Sequence, residues 1–523
     1  MKPCMRLRAT RKNISYGGNV MPCTTILVGK DASYNGSTLI ARNDDSGSGH
    51  FTAKKFVVVE AGDQPRHYKS VISHVEVELP DDPMRYTATP NATKDEGGIW
   101  AAAGVNEENI SMTATETITS NERVLGADPL VELVEAVKDA DDKEITPEKA
   151  GGIGEEDIVI LVLPYIHSAR EGVIRLGSLL EKYGTYEMNG IAFADVNEVW
   201  WLETIGGHHW IARRVEDDHY VVMPNQFGMD RFDMNDAYGD KKENLCSADL
   251  RDFIEKNHLD LAIGDNEGWI NPRDIFGSHS DADHVYNTPR AWFMERYLNP
   301  REYMWDGEDA DYTPESDNIP WTLEPEKKIT VEDVKYVLSS HYQGTEFDPY
   351  GTTGDASKHG KYRSIGVNRT SFLALTEIRP DVPEDHRAIE WIAFGSNVFN
   401  AFVPFYTNVS GMPEYMSCTT GQVSTDSFYW ANRLIGVLAD ASYKKSINHI
   451  ERYQENVQKK GREIIAKYDA AQETVGAGDR EALRMKANQE IADMIRKETD
   501  YTLDKVLLES SNQMKNQYSR SDA

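Results

Sequence analysis

Four strand-like apolar runs, at 190–193, 199–203, 209–213 and 220–223, follow one another with only a few residues between them. Parallel neighbours need a crossover of a dozen or more residues, so this spacing allows only antiparallel pairing. A similar hairpin opens the region after residue 22: "CTTILVGKDASYNGSTLIARNDD" places Thr24–Val28 and a second run, 37–41, around a Gly-punctuated turn. Further strands are expected at 54–60, 99–103, 110–115, 362–365, 371–377, 388–395 and 401–406. Helical spacing runs from Glu155 to Tyr183, with Pro164 breaking or kinking it. Asp128-Pro129 has the form of a helix start, and Thr330 that of a cap for a helix over 331–340. The segment 224–330 reads as looser, rich in Asp, Asn, Pro and Trp. Beyond Ser427 the period changes: Leu434, Val437, Leu438, Ile447, Ile450 and Val457 recur at three- and four-residue steps, and the pattern resumes after Gly476-Ala477-Gly478. Strands, helices, strands, helices, in that order, fit two antiparallel layers with helices outside.

Charge narrows the function. With 56 basic against 86 acidic residues, a formal −30, phosphate-backbone binding is not expected, so no nucleic-acid partner is assigned. Cys4, Cys23, Cys246 and Cys418 form no CxxC pair, so neither a disulfide framework nor a zinc site is indicated. The longest uncharged apolar stretch, Trp391 to Met412, holds three Asn, two Gly and a Pro and reads as paired core strands. A soluble, cytoplasmic protein without a membrane partner is expected.

A cysteine at a strand edge is by default a small buried hydrophobe. Cys23 differs because it lies two residues after Met21. Removal of Met21 and Pro22 would make it N-terminal, uniting a thiol with an α-amine that titrates near neutrality and can act as its base. The hairpin returns Arg42 and Asp45 towards it: a guanidinium there favours thiolate, and a carboxylate can hold the protonated amine. Taken alone, an Arg–Asp surface pair would be the plainer reading. His208-His209, as adjacent strand residues, should point to opposite faces and so not share a metal. Ser46-Gly47-Ser48-Gly49 lacks the lysine and helix of a phosphate loop and reads as a flexible loop beside the site. Asp281, Asp283 and His284 read as a polar loop, and Cys246 and Cys418 as structural.

The opening hairpin resembles the start of the bacterial dipeptidase A family, cysteine-type N-terminal nucleophile (Ntn) hydrolases. So do "GVNEENISMTATET" (104–117), "LVLPYIHSAREGVIRLGSLLEKYGTYEMNGIAFAD" (161–195), "VWWLETIGGHHWIARRV" (199–215), "YVVMPNQF" (220–227) and "KYRSIGVNRT" (361–370). The resemblance implies an α+β fold, the αββα Ntn-hydrolase sandwich of two mostly antiparallel sheets with outer helices, and hydrolysis of dipeptides without metal or organic cofactor. It implies Cys23 as nucleophile and α-amine base, with Arg42 and Asp45 in the arginine–asparagine–x–aspartate motif. Asn225 matches the oxyanion-donating asparagine of related acylases, and Arg290 in "YNTPRAW" matches a second active-site arginine. The other oxyanion donor is expected from backbone near Thr115 or Glu116, where the acylase relatives carry an asparagine. Bile salt hydrolases, penicillin V acylases and secernins are more distant relatives, so another linear amide, or a non-hydrolytic secernin-like role, is the alternative.

Residues 1–22 hold five Lys or Arg and no acid, and lack the apolar core of a signal peptide. They are expected to be a removed leader or a mis-assigned start; Gly17-Gly18 can be encoded as a ribosome-binding sequence ahead of Met21. The expected domains are then the dipeptidase domain over 23–427 and a helical extension over 428–523 packed on it. A homo-oligomer is expected.

Overall fold

The computed structural model describes residues 23–93, 98–139, 144–264 and 267–514. The leader expected over 1–22 lies outside them.

The first hairpin pairs β1 (Thr24–Val28) with β2 (Thr38–Asp45). β3 (Ala103–Val105) and β4 (Ser111–Thr117) follow, then β5 (Asn189–Ala194), β6 (Val199–Thr204), β7 (Trp210–Val215) and β8 (Tyr220–Met223). Short strands β9 (Asn244–Cys246) and β10 (Thr322–Leu323) precede β11 (Thr370–Ile378), β12 (Ala388–Phe394) and β13 (Val403–Tyr406). One sheet runs β10-β8-β1-β2-β11-β12-β13 and the other β9-β7-β6-β5-β4-β3, every pairing antiparallel.

The sheets stack face to face. Leu27, Ile40, Val221 and Met223 of the first meet Ala192, Ala194, Trp201 and Ile211 of the second in one apolar layer. The outer face of the second sheet is covered by α1 (Glu155–Val162) and α2 (Ala169–Tyr183), through Ile158, Val162, Val173 and Leu176. A short 3₁₀ turn containing Pro164 separates the two helices, as that proline requires. The first sheet carries α3 (Thr288–Leu298), α4 (Val331–Leu338) and three C-terminal helices, α5 (Phe428–Ala441), α6 (Tyr443–Gln472) and α7 (Ala477–Asn512). α6 lies so close to β13 that a Cβ at Gly461 would stand 2.8 Å from Pro404 Cδ. The result is a four-layered αββα sandwich with a helical C-terminal section. Among the described residues no helix is long and apolar enough to cross a membrane.

Three local expectations differ. Asp128-Pro129 ends a helix, Glu122–Ala127, whose start is capped by Asn121. Its carboxylate accepts from the backbone N–H groups of His208 and His209, so it is unavailable to cap residues that follow it. Residues 362–365 form no strand, because side chains rather than a ladder tie them to β2: Asn43 donates to the Ile365 carbonyl and Arg363 to Asp45. The strand expected at 99–103 lies instead at Ala103–Val105, because the turn into β4 is closed by Asn106, whose Oδ1 accepts from the N–H groups of Glu108 and Ile110.

The core also holds carboxyls away from the site. Glu390 on β12 is fully buried, and its Oε2 accepts from Thr87 Oγ1 at 2.7 Å while Oε1 has no partner. Burial pushes it up to about 7, against the pull of Thr87. The unfolded group titrates near 4.5, so the folded chain binds the extra proton between those values. Stability therefore falls as pH rises through that window. Glu390→Gln is expected to add about 1–3 kcal/mol at pH 8 and much less at pH 5, read by urea unfolding at both.

Candidate active site

Pleating decides which residues meet the thiol. Thr25 pairs with Arg42 and Leu27 with Ile40, so Cys23, Thr25 and Leu27 share a face with Ile40, Arg42 and Asp44. Leu27 and Ile40 belong to the apolar layer between the sheets; two residues further along, the same stripe turns polar. There the charge of the Arg42 guanidinium reaches the Cys23 thiol. Its Nη1 donates to the Ala114 carbonyl at 2.7 Å, and its Nη2 to Glu155 Oε1 at 2.7 Å and Asp44 Oδ1 at 3.1 Å. Lys54 Nζ stands 3.2 Å from the other Asp44 oxygen. All of these side chains are buried.

Electrostatics follow from that burial. Desolvation pushes the Cys23 thiol well above its ordinary range; Arg42 pulls it back, and Glu116, Glu155 and Asp44 push it higher. A thiol so placed keeps its proton until a base takes it. Burial weakens the charge on Arg42, but Cys23, Glu155 and Asp44 outweigh it, so the guanidinium holds its proton more firmly than usual.

Arg290 approaches from the other side, on the first turn of α3 just after Pro289. Its Nη1 donates to the Cys23 carbonyl and, at 2.7 Å, to Thr24 Oγ1. Its Nη2 donates to Asn225 Oδ1 at 2.8 Å and Asn287 Oδ1 at 2.6 Å, and its Nε to the Tyr286 carbonyl at 2.8 Å. Asn225 Nδ2 donates in turn to the Thr117 carbonyl at 2.9 Å, so the amide is fixed with its oxygen on Arg290 and its nitrogen towards β4. Burial and the nearby Arg363 lower Arg290 to about 10, with Glu116 opposing them.

On β4 the ladder slips: Ala114 pairs with Ile191 and Glu116 with Gly190, leaving Thr115 as the extra residue of a bulge. The Thr115 N–H points at Glu155 Oε1, 3.4 Å away. Glu116 brings its side chain to the site as well as its backbone. Its Oε2 accepts from Thr25 Oγ1 at 2.8 Å, and burial pushes the carboxyl up to about 8 against Arg290, Thr25 and Arg42.

Asp45 lies on the other face of β2, with Asn43. Its carboxylate accepts from Arg363 and, at 2.5 Å, from Thr370 Oγ1. Asp44, Glu155, Lys54 and Arg363 are the site residues that sequence reasoning passed over. Strand alternation from Arg42 points to Asp44 and could have found it. Glu155 carries no such signal: it is 113 residues from Arg42 in sequence and arrives on the first turn of α1.

The remaining candidates fall elsewhere. His208 and His209 do not face apart: they sit in the turn before β7, and the Nδ1 atoms of both reach Asp128, at 3.2 and 2.7 Å. Among the described residues no group of three or more His, Cys, Asp or Glu is arranged to hold a metal ion. Asp283 accepts from Asn287 Nδ2 at 2.5 Å and so supports Arg290 indirectly, while His284 pairs with Asp317. Ser48 lines a cavity of about 1100 Å³, shared with Ser120, Asn225, Tyr286, Asn287 and Arg369.

The family model for peptidase family C69 matches residues 22–456. A dipeptidase from Bifidobacterium longum is 54% identical to this chain, the alignment covering 96% of this chain and all of the relative. A probable dipeptidase A from Streptococcus pyogenes is 52% identical over 96% of this chain and 98% of its own. A solved conjugated bile acid hydrolase from Clostridium perfringens aligns with 74% of this chain and 92% of its own, at 11% identity and a TM-score of 0.26.

Proposed function

We propose, from the premise that the chain belongs to peptidase family C69, that it hydrolyses dipeptides with the Cys23 thiol as nucleophile. One observation carries the choice of residue: segments far apart in sequence converge on Cys23. The charge of Arg42 acts on its thiol, and Arg290 grips its carbonyl while fixing Asn225.

In this reading Cys23 becomes N-terminal, and residues 23–427 and 428–523 are the catalytic domain and its helical extension. The α-amine takes the thiol proton as sulfur attacks the scissile carbonyl carbon. Continuing the β1–β2 register by one residue puts the Cys23 nitrogen alongside Asp44 and Asp45, and Asp45 is assigned to hold the ammonium that results. The carbonyl electrons move to oxygen, where Asn225 Nδ2 and a backbone N–H at Thr115 or Glu116 donate to the oxyanion. Collapse expels the leaving amine, which takes the proton from the ammonium. Water, deprotonated by the same amine, then attacks the thioester, releases the acid and restores the thiol.

The test is a panel of dipeptides and N-acyl amino acids, assayed with wild type and Cys23→Ser. Turnover of dipeptides by wild type alone is expected. Turnover confined to N-acyl amides would replace the substrate class, and an active Cys23→Ser variant would remove the nucleophile. Asn225→Ala is expected to lower kcat on the order of 10²–10³-fold, with a smaller change in KM. Asn225→Asp should be worse: it keeps an acceptor for Arg290 but sets negative charge where the oxyanion forms. Steady-state kinetics of both variants, with melting curves to show that they fold, decide it.

A further inference from the structure

The charges around Cys23 can be paired off. Arg42 stands against Asp44 and Glu155, and Lys54 against Asp44. Arg363 stands against Asp45, and Arg290 has Glu116 as its nearby opposite charge. Arg369 is left over: among the described residues no carboxylate lies within ion-pair distance of it, although its field reaches Asp45. Its Nη2 donates to Tyr286 Oη at 2.7 Å, and its Nε is buried with no hydrogen-bond partner. It lines the cavity of about 1100 Å³ beside Asn225. Three acids share that wall: Asp283 accepts from Ser278, Ser280 and Asn287, Asp274 from Asn271, and Glu122 opens the helix capped by Asn121, with none within ion-pair distance of Arg369. Arg123, the other arginine there, donates to the His258 and Leu259 carbonyls.

Its place in the fold suits one end of a very short substrate. Arg369 immediately precedes Thr370, the partner of Asp45, and its carbonyl accepts from Ser46 N–H. Cys23 lies two strands away, immediately before β1, and about two residues back in register. Strand spacings and rises put the two Cα atoms roughly 12 Å apart, within which an arginine side chain covers about half the distance. In a dipeptide the terminal carboxylate carbon lies under about 4 Å from the scissile carbonyl carbon. An attacking sulfur stands about 3–3.5 Å from that carbon. A cation reading the carboxylate must therefore stand on the order of 7–10 Å from the sulfur, a span Arg369 can meet.

We propose that Arg369 is the specificity-determining residue that binds the free α-carboxylate of the substrate's second residue, and that it thereby restricts cleavage to dipeptides. This rests on the dipeptidase reading and adds to it the group that measures substrate length. The planar guanidinium offers two parallel N–H donors, and an amide or a longer chain at the same point supplies no matching charge.

The experiment compares wild type, Arg369→Met and Arg369→Lys on one dipeptide, its C-terminal amide and the tripeptide extended at that end. Wild type is expected to prefer the free dipeptide by on the order of 10²-fold in kcat/KM. In Arg369→Met the preference should collapse, with kcat/KM for the dipeptide falling by a similar factor, mainly through KM, while the amide changes less than about threefold. Arg369→Lys should recover part of the preference. An equal fall on dipeptide and amide, or an unchanged preference, would overturn the assignment while leaving the dipeptidase reading intact. Wild-type protein that cleaved none of the three would overturn both. Melting curves accompany each variant, and Arg369→Lys serves as the folded comparison if the methionine variant is unstable.

Discussion

Cys23→Ala should lower kcat by at least about 10⁴-fold while the protein stays folded. The sulfur is small, and the groups around it keep other partners: Arg42 still has Ala114, Asp44 and Glu155, and Arg290 reaches the residue 23 carbonyl, which alanine retains. A protein in which Pro22 stays attached should be as inactive as Cys23→Ala, because acylation of the nitrogen removes the only base assigned to a thiol that burial holds protonated. Intact-mass analysis of active enzyme should accordingly begin at Cys23. Full activity with Pro22 present would transfer the base role to another group, and Glu116, pushed up to about 8, is the first to examine. Cys246→Ala and Cys418→Ala are the controls and should turn over normally, neither residue lying near the Arg42–Arg290 assembly.

Arg42→Ala should be the most destabilising single change at the site, costing about 3–5 kcal/mol in urea unfolding as well as activity. The guanidinium is the shared counter-charge of Asp44 and Glu155, and all three are buried between the sheets. Removing it leaves Asp44 to Lys54 and Glu155 to the Thr115 N–H alone. The loss has a sign in pH. Burial, Asp44 and Glu187 push Glu155 up to about 7 even with Arg42 pulling it down. Without Arg42 its folded value climbs further above the unfolded one. The variant then binds a proton on folding over a wider range, so the deficit should be smallest near pH 5 and largest near pH 8. Adding Glu155→Gln to Arg42→Ala should recover part of the stability at pH 8. A deficit independent of pH would mean that lost packing, not an unpaired carboxylate, is its source.

The sheets were legible because their signal is local. Hairpin spacing over 190–223 fixes antiparallel pairing whatever the side chains do, and Pro164 breaks a helix through its own ring. The change of period after Ser427 is likewise carried by successive residues and matches α5 to α7. Arg42 was legible as the end of a strand whose partner begins at Cys23. What escaped depends on tertiary contacts. Asp128 caps nothing downstream because a turn some eighty residues later captures its carboxylate. Arg363 was expected within a strand and instead turns to Asp45. Glu155 meets Arg42 only because α1 lies across the far sheet with its N-terminus at the site, and no spacing along the chain encodes that meeting.

The grip of Arg290 on Cys23 bears on how a chain end can be made accurate. A terminal residue ordinarily frays, since nothing beyond it restrains it. Here every described anchor lies on the carbonyl side of Cys23: the Arg290 bonds to its carbonyl and to Thr24, and a β1 flanked by β8 on one edge and β2 on the other. A terminus cut at the Cys23 nitrogen leaves all of these in place. On the proposed mechanism the severed end would be held as an interior strand residue is, so scission there would free the amine without loosening the sulfur beside it.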